Sequence, residues 1–168
     1  WEGKPKALER IAYLREETKK AGFPGLHLQT LGTAYFADDP FYGKDDDVGA
    51  DSMTIYNWRV HTADRLEAKD KPELTYAQWG EMSLAAMDGA KAAAAKRNAA
   101  YFPNLSVGWD TNSRYPNDER RNIVRNPNPE DFERCARRVR DWVDANIPSD
   151  LPKLMTVNSW NEWTEGSY

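Results

Sequence analysis

The 168-residue chain, 40% apolar and 12% aromatic, is long enough to bury one domain-sized core and too apolar to be disordered. A net charge of −4 and a pI near 5.3 argue against a nucleic-acid partner held through its phosphates. Cys135 stands alone, which excludes an internal disulfide and a cysteine-built metal site and leaves the redox compartment open.

In chain order, "ALERIAYLREETKKAG" sets Leu8, Ile11, Leu14 and Thr18 on one helical stripe, with Gly22 placed as its C-cap. "GLHLQTL" and "DSMTIYNW" read as the first two strands. The polar stretch between them, "KDDDVGAD" (residues 44–51), lacks the ligand spacing of an EF-hand and reads as a solvated loop, so no metal is expected. "LTYAQWGEMSLAAMDGAKAAAAKRNAAY" predicts one alanine-rich helix, opened by Thr75 and Gln78 at capping-box spacing. "NLSVGWD" is a third strand. "NPEDFERCARRVRDWVDANIP" starts a helix with Asn128 as N-cap, Pro129 at the first position and acids in the first turn. Its basic residues are interrupted by Glu133, Asp141 and Asp144, as on a solvated face, while Cys135 shares the apolar stripe of Phe132, Val139 and Trp142. "KLMTVNSW" is the fourth strand. No apolar run reaches the roughly 18 residues needed to span a bilayer.

Strands alternating with helices imply an α/β fold with a parallel sheet. Each strand is two-faced at period two. Leu26 and Leu28 oppose His27 and Gln29; Met53 and Ile55 oppose Thr54 and Tyr56; Leu105 and Val107 oppose Ser106, Gly108 and Asp110; Met155 and Val157 oppose Thr156, Asn158, Trp160 and Glu162. If the apolar faces meet helices, the polar faces line an interior whose working end is the C-terminal rim, as in a (β/α)8 barrel. Four strands cannot close such a barrel. The expectation is therefore that residues 1–168 form a single-domain fragment, the C-terminal half of a TIM-type barrel. Its first half would be missing or on another chain. The start on Trp1 rather than Met fits a removed signal peptide or a preceding domain.

The last stretch, "LMTVNSWNEWTEGSY", runs off the fourth strand into two Trp, two Asn and two Glu. Glycosidases require two carboxyl groups about 5–10 Å apart beside the scissile bond, and indole rings stack on sugar C–H faces. Glu162 and Glu165 are the candidate catalytic pair. Candidate substrate contacts are Tyr56 and Trp58 at the second strand's end, Trp109, Asp110 and Arg114 after the third, and Trp160, Asn161 and Trp163 around the acids. An Asp110–Arg114 pair serves equally well as a structural clamp or as a substrate contact. His27 reads as a satisfied core residue. With only His27 and His61 present, no Ser/His/Asp arrangement is evident, and no Gly-rich phosphate loop exists.

The segment "VNSWNEWTEGSY" resembles the signature of glycoside hydrolase family 99, the endo-α-mannosidases, and of the related WbsX-like proteins of bacterial polysaccharide loci. The shared core is matched by Asn161, Glu162, Trp163, Glu165 and Gly166. "FPNLSVGWDTNSR" is similar to the preceding strand of these families, and "WEGKP" to the middle of a WbsX-like chain, which is the nearer of the two. The resemblance implies a (β/α)8 barrel acting on an oligo- or polysaccharide, without cofactor or metal, and it favours a secreted or periplasmic setting. In family 99, the Glu at position 162 would act as base on the substrate's own 2-hydroxyl, giving a 1,2-anhydro sugar. The Glu at 165 would protonate the leaving oxygen and then activate water. Mannose specificity is not implied, because the motif's small residue and Tyr168 depart from the endo-mannosidase pattern. Two alternatives stand beside hydrolysis: glycosyl transfer in polysaccharide assembly, and a non-catalytic carbohydrate-binding domain.

Overall fold

The computed structural model describes residues 3–32, 48–58, 74–110, 112–114 and 123–166. His61 and residues 44–47 of the acidic loop 44–51 lie outside these residues, as do Ser167 and Tyr168. Helix α1 (Lys4–Lys20) ends where the sequence indicates. Gly22 takes φ +89°, Phe23 N–H donates to Thr18 O at 3.2 Å and Gly22 N–H to Lys19 O at 3.0 Å. This bonding pattern needs a residue that tolerates a left-handed backbone.

Strand β1 (Gln29–Gly32) pairs in parallel with β2 (Ser52–Ile55), Gln29 opposite Ser52. A short segment follows, β3 (Leu74–Thr75), then α2 (Tyr76–Ala85) and α3 (Met87–Ala95). The expected single helix is thus divided: Ala86 N–H turns back to Ser83 O at 3.2 Å, tightening one turn at residue 86. It also stops earlier than expected, because Asn98 adopts φ +55° and the chain straightens into β4 (Ala100–Tyr101), which pairs with β2. Phe102 N–H still donates to Met53 O at 2.9 Å, but Pro103 has no N–H to give, and the ladder to β2 ends there. The same extended run resumes as β5 (Asn104–Ser106), now pairing on its other side with β7 (Thr156–Asn158). Between them lie β6 (Val124–Arg125), joined in parallel to β3, and α4 (Pro129–Asn146). The main strands therefore neighbour one another in chain order, all parallel: an α/β fold.

Both helix starts carry the caps expected of them. Thr75 Oγ1 accepts from Gln78 N–H at 3.2 Å and Gln78 Oε1 accepts from Thr75 N–H at 3.0 Å. Asn128 Oδ1 accepts from Asp131 N–H at 2.8 Å. The far end of α4 is closed by a residue that sequence periodicity does not flag: Lys153 Nζ donates to Val143 O, Asp144 O and Ile147 O at 2.5–3.3 Å. The arginines of α4 are engaged with acids at the surface: Arg134 with Asp131, Arg137 with Glu133, Arg138 with Glu81, Arg140 with Asp141.

The core lies between the sheet and helices α2–α4. Trp79 and Tyr76 of α2, Cys135 and Val139 of α4, and Leu105 of β5 are all buried. Burial also raises the Cys135 thiol's pKa, as expected of an inert core cysteine. Trp58 belongs here, not at the rim. It is 2% exposed and meets Trp79 edge-on at 5.4 Å. Where β2 stops, β5 needs other donors. Trp58 Nε1 donates to Asn104 O and Tyr76 OH to Ser106 O, each at 2.6 Å. Trp58 presents no face to a ligand, which corrects its assignment as a substrate contact.

The opposite face of the sheet is polar and hydrogen-bonded to itself. Ser106 Oγ donates to Asn104 Oδ1 at 2.8 Å, Asn104 Nδ2 donates to Thr156 Oγ1 at 3.0 Å, and Thr156 Oγ1 lies 3.2 Å from Thr54 Oγ1. Thr54 and Thr156 stand on strands separated by the β4–β5 run, about 9–10 Å apart in a flat sheet. Side chains as short as threonine meet across that gap only if the polar face is concave. His27 Nε2 pairs with Ser52 Oγ at 2.8 Å, although the residue as a whole is exposed.

Arg15 of α1 ties this helix to the start of β2. It donates to Asp51 Oδ2 at 2.9 Å, and Leu28 N–H donates to the same oxygen at 2.7 Å. Partial desolvation would raise the Asp51 carboxyl, but the Leu28 N–H and the Arg15 charge outweigh it and hold the pKa below the usual value. A depressed folded-state pKa adds stability above the unfolded value of about 4, lost as pH falls through the folded value. Asp51→Asn is therefore expected to lower stability at neutral pH and to flatten its decline below about pH 4. Denaturant titrations at several pH values, showing parallel acid limbs for the two proteins, would refute this.

Candidate functional site

The C-terminal ends of β2, β5 and β7 converge on one acid. Glu162, just past β7, accepts from Tyr56 OH at 3.0 Å through Oε1 and from Arg114 Nη2 at 2.9 Å through Oε2. Its side chain keeps 28% of its accessible surface, so the carboxylate is held by protein donors and still open to solvent. Arg114 also donates from Nε to Thr164 Oγ1 at 2.8 Å, while Ser113 Oγ donates to Thr164 O at 2.8 Å. One guanidinium thus braces both ends of the Glu162–Thr164 turn. The planar fork of arginine permits this, and a point-charge ammonium would not. The sequence left an Asp110–Arg114 pair open between clamp and substrate contact; in the structure Arg114 clamps Glu162. Asp110 Oδ1 instead accepts from Asn112 N–H at 2.8 Å, shaping the turn that presents Ser113 and Arg114.

Two glycines make this convergence possible. Gly166 has φ +68° and closes a 3-10 turn (Trp163–Glu165) through its N–H to Trp163 O at 3.2 Å. A Cβ on Gly166 would stand 2.8 Å from Asp110 N; one on Gly108 would stand 2.4 Å from Gly166 O. The tail and the loop after β5 touch backbone to backbone, which explains the glycine after the second acid.

Trp160 and Trp163 are exposed, at 86% and 70%, and Trp163 Nε1 donates to Trp160 O at 2.8 Å. Asn161 is exposed between them. Trp109 and Asp110 line a cleft with Trp163, next to but apart from Glu162. Of the predicted contacts, Tyr56 and Arg114 meet Glu162, Trp109, Asp110 and Trp163 share the cleft, and Trp160 and Asn161 flank both. The Glu165 side chain lies outside what the structure describes; its backbone ends the 3-10 turn begun after Glu162.

Sequence reading missed the bracing pair Ser113 and Thr164, whose only signal is position in the segments that follow β5 and β7. It also missed three buried polar atoms near the rim, Asn112 Oδ1, Asn158 Oδ1 and Ser159 Oγ, that have no hydrogen-bond partner among the described residues. Among those residues, no three His, Cys, Asp or Glu side chains cluster to hold a metal, and no helix is long and apolar enough to cross a membrane.

Fold and site together define an α/β protein that presents a clamped carboxylate, flanked in the chain by two exposed tryptophans, at the C-terminal edge of parallel strands. Residues 2–168 match the family described as glycosyltransferase WbsX, and the chain belongs to this WbsX-like family, whose description is that of glycosyl-processing proteins. No curated protein matches the chain.

Proposed function

We propose that this chain is the C-terminal half of a (β/α)8 barrel enzyme that cleaves α-linked glycans with retention, using Glu162 and Glu165. The observation that carries this reading is the Tyr56–Glu162–Arg114 clamp. It fixes an ionisable, solvent-facing carboxylate where a sugar hydroxyl can reach it, and charge-assisted hydrogen bonds of this kind give both strength and direction.

The barrel reading is supported by three features. The strands follow one another in chain order, the polar face is concave at Thr54 and Thr156, and the outer edges of β1 and β7 are unpaired among the described residues. Leu31 on β1 and Val157 on β7 are 65% and 51% exposed, apolar surface that further strands and helices would cover. The remaining half-barrel is therefore the first partner we assign; the second is the glycan itself.

In the proposed cycle, the Glu162 carboxylate removes the proton of the sugar's 2-hydroxyl as O2 attacks C1. The glycosidic C1–O bond breaks, and its oxygen takes the proton of Glu165. Water then attacks C1, losing a proton to Glu165, while Glu162 returns its proton to O2. Configuration at C1 is inverted twice and so retained. The family's description favours a second reading, in which a sugar hydroxyl takes the place of water in the second step.

Both readings are tested together. The full-length protein is incubated with α-linked oligosaccharides, with and without sugar acceptors, and the anomeric products are followed by NMR. Products with retained configuration that need no acceptor support hydrolysis; products formed only with acceptor support transfer. Glu165→Gln is expected to abolish turnover of ordinary glycosides and to leave binding measurable. Full activity in that variant, or no product under any condition, removes the proposal.

A further inference from the structure

We propose that the cleft between Trp109 and Trp163 is a second sugar-binding site, taking a neutral pyranose residue of the same glycan whose neighbouring bond lies at Glu162. The inference rests on the glycan-processing reading above, but its observations are separate from the clamp. The cleft has a volume of about 410 Å³, at the small end of the roughly 300–1,000 Å³ of small-molecule sites, room for one or two rings and not for a long chain.

Three segments build its walls, and hydrogen bonds tie them to one another. Val124 N–H donates to Trp109 O at 2.8 Å and Asp110 bridges to Ile123, so the end of the third main strand is fixed against residues 123–125. Ser113 Oγ reaches Thr164 O, fixing the third wall that carries Trp163 and Gly166. Trp163 is 70% exposed, yet its indole N–H is anchored to Trp160 O. An immobilised indole that buries little of itself contributes little to folding and is ready to bury its face against a ligand.

Chemistry selects the occupant. The lining alternates apolar surface, from Trp109, Trp163 and Ile123, with the polar groups of Asp110, Ser113 and Arg125. A pyranose has that same alternation: a flat patch of C–H bonds edged by hydroxyls. Among the described lining residues, one carboxylate (Asp110) and one guanidinium (Arg125) balance, which suits a neutral hexose or deoxyhexose better than a uronate or a phosphosugar. Glu162 does not line the cleft, so the sugar held there is not the one whose C1 reacts.

The test measures binding apart from turnover. Full-length protein carrying Glu165→Gln is titrated with α-linked manno- and rhamno-oligosaccharides, from di- to pentasaccharides, with oligogalacturonates as charged comparators. Tryptophan fluorescence and calorimetry report binding. Affinity for the neutral series should rise with length and then level off. Trp163→Ala should weaken the longer members about tenfold or more and reduce the fluorescence change. Ile123→Trp, which fills the cleft, should do the same, and circular dichroism confirms folding in each case. Wild-type affinity in both variants, absence of binding by every neutral oligosaccharide, or tighter binding of the uronates would overturn the proposal. Cleft-dependent binding without any turnover by the unmodified enzyme would keep this site and remove the hydrolase reading.

Discussion

Glu162→Gln in the full-length protein is expected to lower turnover of an α-linked oligosaccharide by about 100- to 10,000-fold, the range for loss of a general base. Affinity for the glycan should change by only a few-fold. The substitution is nearly isosteric, so its effect is chemical. The amide cannot take the proton of a sugar hydroxyl, while its NH2 can still face Tyr56 OH, which can accept, and its oxygen Arg114, which only donates, so the geometry is largely kept. Two milder changes set a graded comparison. Tyr56→Phe removes one hydrogen bond to the carboxylate and should cost roughly 1.5–3 kcal/mol, or about ten- to a hundredfold in rate. Arg114→Lys should cost more, because a single ammonium cannot hold Glu162 and Thr164 together as the guanidinium does. The expected order of loss is Glu162→Gln, then Arg114→Lys, then Tyr56→Phe. Steady-state kinetics showing all three at wild-type kcat would mean that the clamp is architecture alone.

Local signals explain which parts of this arrangement were legible in the sequence. The caps at Thr75 and Asn128 and the glycine at 22 each satisfy backbone groups within a few residues, so their patterns are visible without a fold. The parallel order of the main strands follows from the alternation of strand and helix. The cluster from Trp160 to Gly166 was conspicuous because such residues are costly at a strand end unless something uses them. Nonlocal geometry was not legible. Arg114 meets Glu162 across 48 positions, and Tyr56 meets it across 106. Nothing near Arg114 favours that partner over Asp110, four residues away. Trp58 was misplaced for a similar reason: an aromatic at the end of a strand can face outward or fill the space beside a terminated ladder. Only the missing donors of β5 decide for the second. The pairing of β3 with β6 involves two residues on each side, below what periodicity can detect.

Gly166 gives the sharpest structural test. Gly166→Ala is expected to destabilise the protein by about 2–4 kcal/mol, combining a left-handed non-glycine residue with overpacking against backbone. The position has φ +68°, and a Cβ there would lie 2.8 Å from Asp110 N and 2.9 Å from Asp110 Cβ. Because the clash begins at the first side-chain atom and against main chain, no rotamer relieves it. Gly166→Val should therefore be only modestly worse than Gly166→Ala, whereas at an open left-handed glycine the β-branched residue would be much the worse of the two. Gly108→Ala attacks the same contact from the other side, since its Cβ would lie 2.4 Å from Gly166 O. Once one substitution has pushed the tail off the loop, the second has less to break, so the double variant should cost less than the two single changes added together. Activity should fall with stability, because the displaced tail carries Glu162 away from Tyr56 and Arg114 and removes one wall of the indole cleft. Thermal unfolding of the full-length variants decides the matter. Gly166→Ala melting at the wild-type temperature, or a double variant whose loss is the full sum, would show that the two backbones do not press against each other as described.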